Sequence, residues 1–357
     1  MKILVTAGGT GGHIYPALAL IDKFKSHDKD TKVIYVGTKN RMEKDIVPKL
    51  GIEYHAIEIY GLTKNIINDI KDVYLIIKDI KEMKKLMKKF KPDVVLAIGG
   101  YVTYPVIKAA HSLHIPIFIH EQNSIVGKAN KLTAKYADLI GVSFEESIKY
   151  FKNKNVFYSG NPTAERALST PKIDKQSIGL DNNKKLVVVV AGSLGSRTMS
   201  NKMKEYLKNV KGKNYQILYI TGKVIYDEFI KDEYPSNVKI VPYFDNLPGI
   251  LKSADLLISR AGASTIAEIE CLKIPSILIP SPYVANNHQY YNALSLKKAN
   301  AAELIEEDNL NVDILNKLVE KMLDDSSSYK VALSKLSKID SSETIYQKIK
   351  EMLNNVK

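Results

Sequence analysis

The feature that most constrains this chain is an alternation repeated along its whole length. Short, β-branched, almost wholly apolar runs are each followed by a stretch whose apolar residues fall at helical spacing. The first half offers KILVTAG (2–8), KVIYVGT (32–38), EYHAIEI (53–59), DVVLAIGG (93–100), PIFIHEQ (116–122), LIGVS (139–143) and NVFYSGN (155–161). The second half offers KLVVVVAGS (185–193), QILYITG (216–222), VKIVPYF (238–244), LLISRAG (256–262), PSILIPS (275–281) and AAELIEE (301–307). Runs this apolar lack the in–out alternation of a half-solvated strand. They suit strands covered on both faces of a parallel sheet, with helices as the crossovers. Gly160, Pro162 and Pro171 break the pattern between the two series. The expectation is an α/β fold of two Rossmann-like, doubly wound domains facing across a cleft, 1–161 and 162–339. A length of 357 residues, more than one core normally holds, agrees with two domains. A last helix is expected over 340–357. Asp340 and Glu343 stand at capping-box spacing, and Ile345, Ile349, Leu353 and Val356 form one apolar stripe.

Composition narrows the function classes. A single cysteine, Cys271, excludes a disulfide framework and a cysteine-built metal site, and fits a reducing compartment. The opening MKILVTAGG does not read as a signal peptide, and no apolar run reaches the ~20 residues of a spanning helix. A soluble chain is expected. The net charge of +13, from 52 Lys and Arg against 39 Asp and Glu, favours anionic partners, or is simply a lysine-rich surface. One cluster stands out. Residues 64–91 carry nine lysines against four acids, interleaved with more apolar residues than one helix face needs. That is the pattern of a helix lying on an anionic membrane surface, with Ile76 and Phe90 as expected anchors, and equally of a core helix with a solvated lysine face.

In open α/β sheets ligands sit beyond the carboxyl ends of the strands, and the glycine-rich and polar signals fall at those ends. Gly8-Gly9-Thr10-Gly11-Gly12-His13 follows the first run and opens a helix, an arrangement that lets backbone N–H groups approach an anion. A dinucleotide fingerprint fits poorly. Counted from Gly9, its sixth position is Ile14, and the second run ends in GTKN with no acid for a ribose. No Lys-Ser/Thr follows, so this is not a nucleotide-triphosphate loop either. Gly192-Ser193-Leu194-Gly195-Ser196 is the corresponding turn of the second series, suited to a diphosphate. Ser259-Arg260-Ala261-Gly262-Ala263-Ser264-Thr265 leads to Glu268, which either complements the helix dipole or accepts the hydroxyls of a ribose. Asn287, His288, Gln289 and Asn292 are a dense polar set of the kind that reads sugar hydroxyls, or a solvated loop. His120 and Glu121 suit buried capping, whereas Asn123, just past the strand, suits a ligand contact. No strand-end D-x-D pair, H-E-x-x-H or G-x-S-x-G is present, so metal-ion and acyl-enzyme chemistry have no support.

Taken in order and spacing, GGTGGHIYPALAL, VGTKNRMEKDIVPKLG, GGYVTYP, HEQNSIVGKANK, GNP, GSLGS, SRAGASTIAE and NHQYYNA closely resemble the MurG family. These are the bacterial UDP-N-acetylglucosamine:undecaprenyl-pyrophosphoryl-muramoyl-pentapeptide N-acetylglucosaminyltransferases. The resemblance implies a GT-B architecture with the last helix packing back onto the first domain. It implies inverting transfer of GlcNAc from UDP-GlcNAc to the C4 hydroxyl of the muramoyl unit of lipid I, without a cofactor or metal. The second domain would hold the donor: Glu268 the ribose, the backbone at Phe244 the uracil, Ser193 and its loop the diphosphate. Gln289, His288, Ala263 and Ser264 would contact GlcNAc, with Asn123, Thr10, Gly11 and Gly12 reaching the donor from the first domain. Gly8, Gly9 and Tyr101 would meet the acceptor, and His13 is the candidate base. The chain departs from the family's pattern at Ala164, where an arginine is common. Arg166, two residues on, is then the candidate for the donor phosphate. It departs again at Leu194, for a usual glutamine, and at His288. The implied partners are an anionic membrane surface and cell-wall synthesis proteins, not nucleic acid. The implied location is the cytoplasmic side of the cell membrane, held peripherally. A UDP-GlcNAc 2-epimerase, another transferase of the same fold, an NAD-dependent oxidoreductase and a non-catalytic sugar-nucleotide or nucleic-acid binder are the alternatives.

Overall fold

The structure, a computed structural model, describes residues 1–59, 66–152, 155–191 and 197–356, and the side chains of all of these but 66–73 and 356. Two compact units emerge, Met1–Thr163 with Asp340–Lys357, and Ala164–Ile339. Every apolar run of the sequence contains a strand. The first unit holds β1 (Lys2–Ala7), β2 (Lys32–Thr38), β3 (Glu53–Ile57), β4 (Val94–Gly99), β5 (Ile117–Glu121), β6 (Leu139–Val142) and β7 (Val156–Tyr158). The second holds β8 (Lys185–Val190), β9 (Tyr215–Ile220), β10 (Val238–Val241), β11 (Leu256–Ser259), β12 (Ser276–Leu278) and β13 (Glu303–Leu304). All pairings between strands are parallel.

The sheet orders are β3-β2-β1-β4-β5-β6-β7 and β10-β9-β8-β11-β12-β13. In both, the first strand of the unit lies in the middle and the chain then reverses direction across the sheet. This is the doubly wound order, and its switch point falls between β1 and β4 in one unit and between β8 and β11 in the other. Burial on both faces explains the composition of the runs: in β4 all six residues are buried, and in β9 likewise. At the end of β1 the register against β4 shifts between Thr6 and Ala7, which sets Ala7 opposite Gly99. That irregularity brings the two glycine turns of the switch point side by side.

The last helix, Ser341–Val356, belongs to the first unit. Ile345 and Ile349 are fully buried in a cluster with Ile14, Leu18, Ile21 and Phe24 of the helix Gly11–His27. Tyr346 meets Phe24 edge-on at 5.0 Å and stacks on His27 at 4.0 Å. Glu343 accepts from His27 Nε2 at 2.8 Å, and this bond, first among its partners, holds its carboxyl down at about 2. Met352 joins the apolar stripe and Leu353 is half-buried.

In the helix Ile66–Phe90, Met83 and Met87 are buried against the sheet, and Phe90 packs on the same core rather than projecting. Phe90 is therefore not a surface anchor. Its ring is taken by the core and by Lys2, whose Nζ lies 5.8 Å from its centroid. Among the described residues of this helix, the exposed large apolar side chains are Tyr74 and Ile77, at 67% and 49% exposure. Among the described residues, no helix is long and apolar enough to cross a membrane.

Candidate functional site

In the first unit the switch point carries a cavity of about 440 Å³. Its walls are Gly8–Thr10 with His13, the turn Thr38–Arg41, the end of β3 at Ile57–Ile59, and Gly100–Val102. Glycine is required where the turns touch. Gly100 has φ +91°, and a Cβ there would lie 2.5 Å from the Gly8 carbonyl oxygen. Gly99, at φ +124°, leaves room for the His13 ring, which a Cβ would meet at 2.7 Å.

The amides of the loop divide into two groups. Gly8 N–H donates to Gly99 O at 3.2 Å and Gly9 N–H to Glu43 Oε2 at 3.2 Å, so both of these donors serve the protein itself. Any contact of Gly8 and Gly9 with a ligand is made by their carbonyl or Cα atoms. Thr10 then takes the N-cap position of Gly11–His27 without a side-chain cap bond, so the helix opens at Gly11 and Gly12 in a form suited to anions. His13 Nδ1 lies 3.0 Å from Gly8 O, and since a carbonyl only accepts, Nδ1 carries the proton. The basic lone pair is thereby assigned to Nε2, the nitrogen facing Gly99. Tyr101, 47% exposed, stands on the rim.

The β5 end is a scaffold. Buried Glu121 accepts the N–H of Asn123 at 3.0 Å and its Nδ2 at 3.3 Å through one oxygen. The other oxygen accepts Gly127 N–H and Asn130 Nδ2, both at 2.9 Å. Four donors on one carboxylate fix the turn that presents Asn123. His120 is fully buried, receives Gln122 Nε2 on Nδ1 at 3.0 Å and donates from Nε2 to Gly160 O at 3.1 Å. Burial lowers its pKa to about 4, so it stays neutral and structural, unsuited to accept a proton at neutral pH.

In the second unit the segment after β8, residues 192–196, lies outside the described residues, and Ser193 with it. The turn after β11 leads into the helix Ala263–Leu272, capped at Gly262 without a side-chain bond, so the amides of Ala263 and Ser264 open it. Ser264 Oγ is buried with no hydrogen-bond partner. Glu268 lies in the second turn, beyond the reach of a first-turn dipole, which removes the simple capping explanation. Its side chain is partly exposed but crowded by protein. Desolvation pushes the carboxyl up to about 7, and the nearby Arg166 guanidinium opposes that rise. Arg166 thus acts on the expected ribose site. Ala164 is buried against Ala267 and Cys271, a small side chain in a packed position.

Phe244 follows β10, half-buried, at the carboxyl edge of the sheet. Gln289 Oε1 accepts Ser281 N–H at 2.9 Å, and His288 Nδ1 donates to Ala285 O at 2.8 Å. Asn286 and Asn287 both take left-handed φ, 55° and 50°, to turn the chain into the helix His288–Lys298. Asn292 is fully buried and donates to Ala261 O at 3.1 Å, so it braces the turn from beneath. Arg260 is likewise internal, paired with buried Glu307.

Sequence reasoning missed Glu43 entirely. It lies in a four-residue helix, Glu43–Ile46, with no local signal, and its partners are 5 and 34 residues away.

The chain matches the glycosyltransferase family 28 N-terminal domain over residues 3–142 and the family's C-terminal domain over 186–350. It is 40% identical, over the full length of both chains, to the UDP-N-acetylglucosamine–N-acetylmuramyl-(pentapeptide) pyrophosphoryl-undecaprenol N-acetylglucosamine transferase of Bacillus licheniformis. To the enzyme of that name from Halalkalibacterium halodurans it is 44% identical over 88% of each chain. Among solved structures it is similar to Acinetobacter baumannii MurG, with a TM-score of 0.80 at 24% identity over 98% of this chain and 99% of that one. A UDP-GlcNAc 2-epimerase from Methanocaldococcus jannaschii shares the fold, with a TM-score of 0.68 at 18% identity over 98% of this chain and 100% of that one.

Proposed function

The chain belongs to glycosyltransferase family 28, and within it to the MurG enzymes, and on that premise we propose how its residues work. It is an N-acetylglucosaminyltransferase that moves GlcNAc from UDP-GlcNAc to lipid I, giving lipid II and UDP. The link formed is β-1,4, to the C4 hydroxyl of the muramoyl unit, with inversion at the anomeric carbon.

The second unit takes the donor. Glu268 accepts the ribose hydroxyls, the backbone at Phe244 holds uracil, and Ser193 with the helix opening at Ala263 and Ser264 stabilises the diphosphate as charge develops on it. Gln289 and His288 read the sugar hydroxyls, and Arg166 tunes Glu268. The first unit takes the acceptor in the cavity at the switch point, with Tyr101 on its rim. Thr10, Gly11, Gly12 and Asn123 reach toward the donor sugar, and the helix opening at Gly11 and Gly12 also faces the acceptor diphosphate, which the glycine loop receives. His13 takes the C4 proton on Nε2, since the Gly8 carbonyl holds the other nitrogen as N–H. The observation that supports this assignment is the 3.0 Å approach of His13 Nδ1 to the Gly8 carbonyl, beside an open helix N-terminus. Peripheral attachment to an anionic membrane surface is the reading that the lysines of 78–91 with exposed Tyr74 and Ile77 support, and cell-wall synthesis proteins are fitting partners there.

The test is transfer of labelled GlcNAc into a short-chain lipid I analogue, with the product's linkage determined by a β-specific hexosaminidase. A product resistant to that enzyme, or label left wholly in the water-soluble donor, overturns the reading.

A further inference from the structure

A buried carboxylate beneath a pocket for an anion is electrostatically costly, yet Glu43 is fully buried under the switch-point cavity. Its carboxylate bridges two walls. Oε2 accepts Gly9 N–H at 3.2 Å from the glycine turn after β1. Oε1 accepts Thr38 N–H at 3.0 Å and Thr38 Oγ–H at 2.7 Å from the turn after β2. Room for it is made by two glycines. A Cβ on Gly8 would lie 2.5 Å from Oε1, and one on Gly37 would lie 2.7 Å from the Glu43 Cγ. The far side of the Thr38 turn is pinned as well, by Tyr54 Oη donating to Thr38 O at 2.6 Å. Immediately beyond Thr38 the chain passes along the cavity as Lys39, Asn40 and Arg41.

We propose that Glu43 is a positioning residue for the acceptor: by tying Gly9 to Thr38 it fixes the separation of the two cavity walls, and so aims the Gly11–Gly12 helix opening and the Lys39–Arg41 rim at one diphosphate. This rests on the reading that the cavity receives the lipid acceptor. All three partners of Glu43 are donors, which is what a carboxylate satisfies and a carboxamide does not. In Glu43→Gln the amide NH2 must face either Gly9 N–H or the Thr38 donors, so one wall is released while side-chain volume is kept.

The experiment measures acceptor KM, kcat and donor Kd for the full chain and for Glu43→Gln, Thr38→Val and Arg41→Ala. Glu43→Gln is expected to raise KM for a lipid I analogue by about tenfold or more, the scale of one lost charge-assisted bond, with the UDP-GlcNAc Kd within about twofold. Thr38→Val, which keeps the backbone bond and loses the hydroxyl one, is expected to raise acceptor KM by about two- to fivefold, and decides the matter if Glu43→Gln does not fold. An unchanged acceptor KM in the folded variant overturns the proposal, as does an equal loss in donor Kd and acceptor KM. Arg41→Ala separates the two levels, since Arg41 lines the cavity without bonding Glu43. If it raises acceptor KM while Glu43→Gln does not, the positioning role falls alone. If neither moves acceptor KM, the acceptor reading of the cavity falls with it.

Discussion

Donor binding should depend on pH through one carboxyl. Crowding around Glu268 raises its pKa from 4.5 to about 7, against the pull of Arg166. At about 1.4 kcal/mol per unit, the charged form is up to about 3 kcal/mol harder to hold there than in water, less whatever its partial exposure screens. Because the folded value lies above the unfolded one, this group's stabilisation of the ligand-free fold is complete below about pH 4.5. It is lost as pH rises through about 7. A ribose reverses the preference, since two hydroxyls donate to the ionised carboxylate and only that form accepts both. Donor affinity should therefore climb about tenfold between roughly pH 6 and pH 8 and then level off, with a proton released on binding below the midpoint. Titration calorimetry of UDP-GlcNAc in two buffers of different ionisation enthalpy reads both the Kd and the proton count. Glu268→Gln should bind about 10- to 100-fold more weakly at pH 8 with a flat profile, and Arg166→Ala should move the midpoint upward. A wild-type Kd that is flat over this range, or an equal slope in Glu268→Gln, would refute the reasoning. His120 does not confuse the result, since its transition lies near 4.

Other perturbations test other parts of the account. His13→Ala should lower kcat by about 10²-fold or more with donor KM nearly intact, as expected for a base acting in the transition state; kcat retained with acceptor KM raised would make His13 a phosphate ligand instead. Ile349→Ala, deleting a fully buried contact with the first helix, should destabilise the fold by about 2–5 kcal/mol in denaturant melts. A loss below about 0.5 kcal/mol would show the last helix to be dispensable. Tyr74→Ser with Ile77→Ser should weaken binding to anionic vesicles, and added salt should weaken it further. Equal binding to neutral and anionic vesicles removes the electrostatic part.

The sequence carried more of the fold than of the site. The thirteen strands among the described residues were legible because burial on both faces leaves a continuous apolar run, and strand-end glycines marked the ligand edge. Local pattern says nothing about which donors are spent internally. Gly8 and Gly9 look like ligand amides in the sequence, and their N–H groups go to Gly99 and Glu43. Glu43 was illegible for the same reason, as its function depends on a partner 34 residues away. Phe90 and Tyr74 share one helix and similar apolarity, and only the position of the sheet decides that Phe90 is packed and Tyr74 exposed.

The central claim is that the chain transfers GlcNAc to an acceptor rather than altering it on the nucleotide, as the epimerases that share its fold do. The most direct measurement follows UDP release from UDP-GlcNAc with and without a lipid I analogue, with chromatography of the sugar nucleotides alongside. The account predicts release of UDP in step with consumption of the acceptor, a negligible rate without it, and no other sugar nucleotide formed. Conversion of UDP-GlcNAc to UDP-ManNAc in the absence of acceptor, with no acceptor-dependent release of UDP, would contradict it.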